Sequence, residues 1–410
     1  MKKRDLYLNQ LINFKDKPLI KVITGIRRCG KSTLLALYAD YLHNSQVQAD
    51  HIICINFEAF EFDSITTYQD LYTHIKNKMT SSIGKYYLLL DEIQQVPSWE
   101  KAVNSFLVDS NVDITITGSN AYLLSSELST LLSGRYVEIK MQPLSFKEYL
   151  DFNNFVKTDN VDQLFESYLE FGGLPTVVEL KDLPDTIAPF LTGIYNTVIM
   201  KDVIQRNNVR DAVLLESVLK FVAANIGSII STKKISDYLT SSGRKTTSDT
   251  IDNYLKMLEN AYIIYRANRY DLKGKLFLKT LEKYYIIDTG IRNQLTGLRN
   301  TDYGHMLENI VFFELLRRGF NVSIGKVGTL EVDFIATKSK EKIYYQVSAT
   351  IIDEDIRERE LRPLRAISDQ YDKVVLTMDK NIYNDFEGIK SINIIDFLLN
   401  YDSSTIKVDD

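Results

Sequence analysis

A glycine-rich segment places the strongest limit on what this chain can fold into. Residues 25–32 read Gly-Ile-Arg-Arg-Cys-Gly-Lys-Ser, which matches the pattern G-x-x-x-x-G-K-[ST], and they follow an apolar run at residues 19–23. A strand, a glycine loop and a helix in this order let backbone N–H groups surround a phosphate at a helix amino terminus. The stretch after the loop has apolar residues at helical spacing: Leu34, Leu37, Tyr38 and Tyr41. The sequence therefore predicts a nucleotide-binding loop.

Roles for the loop residues follow from their chemistry. The glycines permit positive φ values and a close approach of the backbone to phosphate. Lys31 is expected to contact the β- and γ-phosphates, and the hydroxyl of Ser32 is expected to ligate Mg²⁺. The candidate nucleotide-binding residues are Gly25, Ile26, Arg27, Arg28, Cys29, Gly30, Lys31, Ser32 and Thr33.

An acidic pair follows a second apolar run, residues 86–90. Ligands bind at the carboxyl ends of strands in open α/β sheets, so Asp91 and Glu92 are expected beside the phosphate loop. Asp91 is the candidate metal ligand, directly or through water. Glu92 is the candidate base that orients and deprotonates the attacking water.

Two further candidates leave alternatives open. Asn120, in Thr117-Gly-Ser-Asn at the end of the next strand, either touches the γ-phosphate or the lytic water, or caps a helix. Arg135, which follows Ser133-Gly134, is expected at the surface near a loop. It is either an ordinary solvated arginine or an arginine finger that completes the site of a neighbouring subunit.

The composition is that of a globular protein with several domains. A chain of 410 residues exceeds one ordinary hydrophobic core, and 45% apolar with 25% charged residues argues against disorder. The net charge of −5 gives no strong overall attraction to nucleic acid, so DNA binding would need a local basic patch. The two cysteines, Cys29 and Cys54, fit a reducing compartment, and no stretch approaches membrane-spanning length. We therefore expect a cytoplasmic protein with no membrane partner.

The apolar patterns predict four domains. Residues 1–150 alternate strands with amphipathic helices, as in a parallel sheet covered on both faces. Residues 151–210 are expected to be helical, and residues 211–297 have three helices followed by a strand pair, the order of a winged helix. Residues 298–410 are expected to form a second α/β unit. The strand candidates of the first domain are residues 19–23, 52–57, 86–90 and 114–117.

Further motifs are spread over nearly the whole chain. Besides residues 23–35, they are Leu90-Asp-Glu-Ile-Gln, Thr117-Gly-Ser-Asn, Ser133-Gly-Arg, Pro143-Leu-Ser-Phe, Gly172-Gly-Leu-Pro, Asp288-Thr-Gly, Leu307-Glu-Asn and Glu331-Val-Asp-Phe. Together they resemble the motifs of a large prokaryotic family of AAA+-like ATPases. The resemblance implies an α/β fold class: a P-loop AAA+-type parallel sheet, a helical lid, a winged helix and a C-terminal domain of unknown function with a restriction-endonuclease-like core. It also implies ATP as the nucleotide.

The implied nuclease-like domain departs from the catalytic pattern. Nucleases of this fold use one acid on a first strand, then an acid and a lysine two residues apart on the next. Asp333 fits the first acid, Glu308 fits a helix acid, and Glu331 shares the strand face of Asp333. Gln346 and Ser348 stand where the second acid and the lysine should be, and glutamine is a poor ligand for Mg²⁺. We expect a fold retained for binding or assembly; the competing hypothesis is a replacement cation from the next helix, Arg357, Arg359 or Arg362.

The predicted winged helix leaves DNA binding open. Its third helix carries Asp249, Asp252 and Glu259 against Lys256, and such anions oppose phosphate contact. The wing offers a better basic patch, in which cations alternate with aromatic side chains: Arg266, Arg269, Lys273, Lys275 and Lys279 with Tyr265, Tyr270 and Phe277.

These inferences give one functional hypothesis and one alternative. The hypothesis is a Mg²⁺-dependent ATPase that couples nucleotide state to a C-terminal binding module lacking nuclease activity. The alternative is a nucleotide-gated, DNA-binding nuclease or regulator. The predicted cofactors are ATP and Mg²⁺, and the candidate partners are a homo-oligomer and DNA bound through the winged helix; the sequence indicates no protein client.

Overall fold

The structure, a computed structural model, describes residues 2–81, 84–109, 111–121, 132, 134–156, 160–278, 281–298, 302–380, 383 and 385–400. The chain forms two compact units. The first unit comprises Met1–Pro143, Thr197–Asp202 and Asn260–Tyr262. The second comprises Leu144–Asn196, Val203–Glu259 and Ile263–Asp410. The finer division into four domains stays a prediction.

The first unit contains a five-stranded parallel sheet with the spatial order β2-β3-β4-β1-β5. Its strands are β1 (Ile20–Thr24), β2 (Ile52–Asn56), β3 (Tyr86–Asp91), β4 (Val112–Gly118) and β5 (Tyr136–Lys140). The parallel sheet confirms the α/β class, and four of these strands match the predicted ones because buried parallel strands are nearly continuous apolar runs. The sequence does not predict β5, because Ile139 alone among its side chains is buried.

Helices cover this sheet with the apolar faces that their sequences predict. They are α1 (Asp5–Asn13), α2 (Lys31–Asn44), α3 (Tyr68–Lys78) and α4 (Trp99–Asp109). In α2 the residues Leu34, Leu37 and Tyr38 are buried, and Tyr41 is half-buried. Because β3, β4 and β1 are parallel neighbours, their carboxyl ends lie side by side at one edge of the sheet.

The second unit begins with helices and a small antiparallel sheet. The helical segments are α5 (Phe146–Phe152), α6 (Val161–Phe171), α7 (Pro175–Glu179), α8 (Pro184–Thr197), α9 (Ala212–Ala224), α10 (Thr232–Ser241) and α11 (Ser248–Asn260), of which the end residues Thr197 and Asn260 belong to the first unit. A π-helix (Val198–Gln205) follows α8, and its residues up to Asp202 also belong to the first unit. The small sheet has the order β6-β10-β7 and contains β6 (Ile229–Ile230), β7 (Ile264–Ala267) and β10 (Glu282–Ile286). Strand β6 lies between α9 and α10 in the chain, and the winged helix stays a prediction.

An eight-stranded mixed sheet forms the rest of the second unit, with the order β15-β16-β14-β13-β12-β11-β8-β9. Its strands are β8 (Arg269–Asp271), β9 (Leu276–Phe277), β11 (Asn321–Val327), β12 (Leu330–Lys338), β13 (Glu341–Ser348), β14 (Asp372–Thr377), β15 (Asp385–Phe386) and β16 (Ile389–Asn393). The accompanying helices are α12 (Thr289–Thr296), α13 (Tyr303–Arg317), α14 (Glu354–Arg365) and α15 (Ile394–Leu399). Strands β8 and β9, which lie in the predicted wing, join this sheet through β11. Among the described residues, no helix is long and apolar enough to cross a membrane.

Candidate nucleotide-binding site

The phosphate loop connects the end of β1 to the start of α2. Gly25 and Gly30 have φ values of +140° and +103°, which residues with a Cβ rarely adopt. A Cβ added to Gly25 would lie 2.1 Å from the carbonyl oxygen of Met141, so only glycine fits there. Gly30 stands at the N-cap position of α2 and has no side chain that could accept a hydrogen bond from the helix. The first N–H groups of α2 therefore receive no side-chain cap from Gly30 and can bind an anion.

A buried arginine from the start of the chain supports the loop from behind. The guanidinium of Arg4 donates to the carbonyl oxygens of Cys29 at 3.0 Å, Gln142 at 2.8 Å and Pro143 at 3.2 Å. Arg4 thus joins the loop to the segment after β5. Sequence reasoning misses it, because a single arginine before α1 matches no local pattern.

Lys31 is the loop's buried cation. Its side chain is 4% exposed, and Nζ donates to the carbonyl oxygens of Gly25 at 3.0 Å and Ile26 at 3.2 Å. The same Nζ lies 3.7 Å from Oε1 of Glu92. Ser32 and Thr33, in contrast, are exposed at the first turn of α2. The ammonium group is thus held mainly by neutral oxygens, next to two accessible residues with hydroxyl groups.

The acidic pair lies at the carboxyl end of β3, and both Asp91 and Glu92 are buried. Thr117 of the neighbouring strand β4 bridges them: its hydroxyl donates to Oδ1 of Asp91 at 2.5 Å and accepts from the backbone N–H of Glu92 at 2.9 Å. Glu92 has a φ of +54°, an uncommon value for a residue with a side chain. Gln94 donates to the Glu92 carboxylate. Two strands therefore fix both acids in place.

Asn120 follows β4, next to the strand that leads into the phosphate loop. It is 2% exposed, and the last residue of β4 pairs with Thr24 of β1. Its Nδ2 donates to the backbone oxygen of Asp202 at 3.5 Å, a contact that the sequence does not predict. No motif singles out Asp202, which comes from a separate segment of the chain that packs in the first unit.

Arg135 lies at the opposite edge of the sheet. It immediately precedes β5, and its backbone oxygen accepts from the N–H of Ile20, the first residue of β1. The phosphate loop follows the last residue of β1, so Arg135 is not near the site of its own chain. It is half-buried rather than at the open surface, because it begins a strand. Ser133 of the same motif lies outside the described residues.

Comparison with known proteins agrees with this geometry. Residues 17–150 match the family described as an AAA domain, and residues 162–302 match a domain of unknown function (DUF8612). An uncharacterized protein of Haemophilus influenzae is 46% identical over 97% of this chain and 98% of its own length. An uncharacterized protein of Methanocaldococcus jannaschii is 32% identical over 96% of this chain and 89% of its own length. The chain belongs to this family of AAA-domain proteins.

The AAA domain also has a counterpart among solved structures. The Walker-type ATPase of Pyrococcus abyssi superimposes with a TM-score of 0.51 at 17% sequence identity, covering 72% of this chain and 96% of that one. At this identity the likeness shows a common fold alone. The family match supports ATP binding by the AAA domain, as the resemblance implies. The endonuclease-like core stays a prediction.

In the second unit the structure brings together three acids that the resemblance assigns to a nuclease-like site. Glu308 of α13 and Glu331 and Asp333 of β12 all surround the ammonium group of Lys283, at 2.9, 2.9 and 3.5 Å. Lys283 is 3% exposed and belongs to β10, which precedes these acids in the chain. Sequence reasoning misses Lys283, because a lysine within a strand gives no signal of a distant acidic partner.

The charges in this cluster shift one another's pKa values. Burial alone would lower the pKa of Lys283, but Glu308, Asp333 and Glu331 outweigh burial and raise it. Burial and the nearby charge of Glu308 raise the pKa of Asp333 to about 7. Burial opposes ionisation of Glu308 as well, yet Lys283 keeps its pKa below the usual value. The positive charge of Lys283 therefore offsets part of the free-energy cost of burying these carboxylates.

The two positions that depart from the nuclease pattern are also occupied by protein contacts. Gln346 donates to Glu360 at 3.0 Å, and the hydroxyl of Ser348 donates to the backbone oxygen of Thr350 at 2.8 Å. Within the described part of the chain, no group of three or more His, Cys, Asp or Glu residues is arranged to hold a metal ion. Two of the candidate replacement cations from the next helix make other contacts: Arg357 donates to the backbone oxygens of Ile351 and Ile352, and Arg359 pairs with Glu360. A replacement cation from this helix stays a hypothesis.

The predicted basic patch of the wing is smaller than its sequence indicates. Arg266 forms two hydrogen bonds of 2.7 Å with Glu259, and Arg269 is buried with Nε 4.0 Å from Glu331. Lys273 and Lys275 are exposed in the turn between β8 and β9, and Lys279 lies outside the described residues. Ion pairs thus remove two of the predicted phosphate contacts.

Proposed function

We propose that this protein hydrolyses ATP with Mg²⁺ and couples its nucleotide state to a C-terminal binding module. One observation carries the proposal: Nζ of Lys31 lies 3.7 Å from the carboxylate of Glu92, at the edge where β1 and β3 end. A phosphate-binding cation and a carboxylate base in one place are the main requirements of ATP hydrolysis. The AAA family match supports the same reaction.

In this proposal each residue of the site has one task. Lys31 exchanges its carbonyl partners in the loop for phosphate oxygens. Ser32 and Asp91 hold the metal; bound Mg²⁺ neutralises phosphate charge and orients the leaving group. Glu92 accepts the proton of the attacking water, and Thr117 fixes the backbone at both acids. Asn120 contacts the γ-phosphate or the water.

The residues present fit such a ligand. Gly25 leaves no Cβ between the loop and Met141, so the loop can keep its positive φ value there. The first turn of α2 carries exposed hydroxyl groups where a phosphate-bound metal needs an oxygen ligand. The carboxylate of Asp91 already accepts a hydrogen bond, which orients its oxygens before any metal binds.

Two substitutions separate binding from hydrolysis. Lys31→Ala removes the cation and should abolish or severely weaken ATP binding in calorimetry. Glu92→Gln keeps the shape but removes the base, so it should bind ATP and hydrolyse it roughly 10²–10⁴-fold more slowly. Wild-type ATP affinity in Lys31→Ala would refute the loop assignment, and wild-type turnover in Glu92→Gln would refute the base.

We further propose that the nuclease-like cluster of the second unit is not a cleavage site. Lys283 lies among Glu308, Glu331 and Asp333, where a metal would have to bind, and its charge partly compensates theirs. A divalent ion would have to displace this ammonium from the two carboxylate oxygens that it contacts at 2.9 Å. The C-terminal domain is therefore assigned to binding or assembly.

We propose that Arg135 acts in hydrolysis at the site of a neighbouring subunit. Its place at the start of β5 is remote from its own phosphate loop, so any contact with nucleotide needs a second copy of the chain. An arginine supplied by a partner stabilises charge in the transition state of phosphoryl transfer. This role predicts a homo-oligomer as the active form.

A further inference from the structure

The phosphate loop contains an arginine that is already held in place by two carboxylates. Nε of Arg27 donates to Oδ2 of Asp202 at 2.7 Å, and Nη1 donates to Oε1 of Glu58 at 3.1 Å. Burial opposes the charge of Arg27, but Asp202, Glu58 and the charge of Glu92 raise its pKa. Arg27 is thus a permanent cation within the electrostatic reach of the proposed catalytic base.

Asp202 is the residue that fixes this arginine. It is 1% exposed and lies in the Val198–Gln205 π-helix. Besides Arg27, its Oδ1 accepts from the hydroxyl of Ser119 at 3.5 Å, and its backbone oxygen accepts from Asn120 at 3.5 Å. One residue therefore ties the phosphate loop to the tip of β4, where the γ-phosphate is expected.

We infer that Arg27 is a second cation, besides Lys31, that contacts the γ-phosphate from within the same chain, and that Asp202 is the positioning residue that aims it. A guanidinium has five N–H donors. The two carboxylates accept from Nε and Nη1, so donors remain for phosphate oxygens on the same planar group. An arginine supplied in cis can stabilise the charge that develops in phosphoryl transfer.

The position of Arg27 favours a contact that ATP makes and ADP does not. Lys31 and the N–H groups of α2 lie at the base of the loop and serve any bound phosphate. Arg27 instead lies next to the tip of β4 and within the electrostatic reach of Glu92, the side from which water attacks. Loss of Arg27 should therefore weaken ATP more than ADP. This inference rests on the proposed ATPase function.

The experiment compares Arg27→Ala, Asp202→Asn and the double variant in the full-length chain. We expect Arg27→Ala to lower kcat roughly 10³-fold, to weaken ATP binding and to leave ADP affinity within about twofold. Asp202→Asn keeps the shape and loses the charge, so it should lower kcat about 10- to 100-fold by misplacing the guanidinium. The double variant should be no slower than Arg27→Ala alone, because Asp202 acts through Arg27.

A matched control and the conservative variant separate positioning from general damage. Asp16→Asn makes the same substitution in the same unit, removes a 3.1 Å ion pair with Lys85 and lies before β1, away from the phosphate loop. It should leave kcat and the ratio of ATP to ADP affinity unchanged. Arg27→Lys restores the charge without the planar fork and should recover part of the lost kcat.

Three results would overturn the inference. They are an equal loss of ATP and ADP affinity in Arg27→Ala, unchanged kcat in that variant, and losses of kcat that multiply in the double variant. If the ATPase proposal itself fails, Glu92→Gln turns over ATP as fast as the wild type. The ratio of ATP to ADP affinity in Arg27→Ala does not depend on turnover, so the two failures can be distinguished.

Discussion

Replacing Lys283 by methionine tests whether a lysine neutralises the acidic cluster of the second unit. Methionine keeps much of the length of the side chain and removes the charge. Lys283 is 3% exposed and has two carboxylate oxygens at 2.9 Å. Removing one partner of a buried ion pair costs about 3–5 kcal/mol, because the remaining charges stay buried without compensation. We expect a loss of this size in the free energy of unfolding at pH 8.

The loss should depend on pH, and its sign follows from the carboxylates. Without the ammonium group, the pKa of Asp333 rises further above its unfolded value of about 4. The pKa of Glu308, which Lys283 holds below its usual value, rises as well, because burial is then unopposed. The native state then binds more protons than the unfolded state, so stability falls as the pH rises. At pH 5.5 the protonated acids need only hydrogen-bond partners, and the loss should shrink to about 1–3 kcal/mol. Asp333, whose pKa is already about 7 in the wild type, should respond first.

Urea unfolding followed by circular dichroism at pH 5.5 and pH 8 measures both losses. The matched variant is Lys283→Met combined with Glu308→Gln, which removes one uncompensated charge and should recover part of the stability lost at pH 8. Mn²⁺ should raise the urea midpoint of Lys283→Met, since a cation can then enter, and should leave the wild type unchanged. Equal losses at both pH values, or stabilisation of the wild type by Mn²⁺, would refute the role given to Lys283.

Three further predictions concern activity and the loop. Wild-type protein should not cleave single- or double-stranded DNA with Mg²⁺ or Mn²⁺, with or without ATP. Asp333→Ala should have the same ATPase rate as the wild type. Plasmid nicking that is lost in Asp333→Ala and kept in Lys31→Ala would restore the nuclease alternative. Arg135→Ala should lower hydrolysis with little change in ATP affinity, and mixing it with Glu92→Gln should partly restore turnover; a mixture without recovery argues against a shared site. Gly25→Ala should prevent ATP binding, because an added Cβ would clash with the carbonyl oxygen of Met141. At Gly134 an added Cβ meets nothing within 4 Å, so Gly134→Ala should lower stability by only about 1–2 kcal/mol, the cost of its positive φ. A thermal melt would detect this loss.

Local patterns in the sequence predict the parts of the site that are contiguous in the chain. The loop at residues 25–32 and the acids at the end of β3 each combine a motif with the strand that precedes it, so their positions follow from the sequence. The buried apolar runs of β1 to β4 are equally local. β5 is missed because it is an edge strand with one buried side chain, and it has no run to detect.

The residues that sequence reasoning misses act over long distances along the chain. Arg4 contacts carbonyl oxygens 25 and 138 residues away, and Arg27 meets Asp202 across 175 residues. Lys283 meets Asp333 across 50 residues. A charged residue carries the same local signal whether it is solvated or paired with a distant partner. Only the fold distinguishes a solvated residue from a paired one. For this reason the sequence of the wing indicates a larger basic patch than the structure contains.

The partners of the two buried lysines support the proposal that one acidic site is catalytic and the other is not. Lys31 is held by the carbonyl oxygens of Gly25 and Ile26, with one carboxylate at 3.7 Å. Neutral acceptors bind an ammonium more weakly than carboxylates do, so a triphosphate can take over its hydrogen bonds. Lys283 instead has carboxylates as its close partners, and releasing it would leave several buried negative charges behind. The difference lies in the partners and not in the lysines, and it is consistent with the proposed ATP hydrolysis in the first unit.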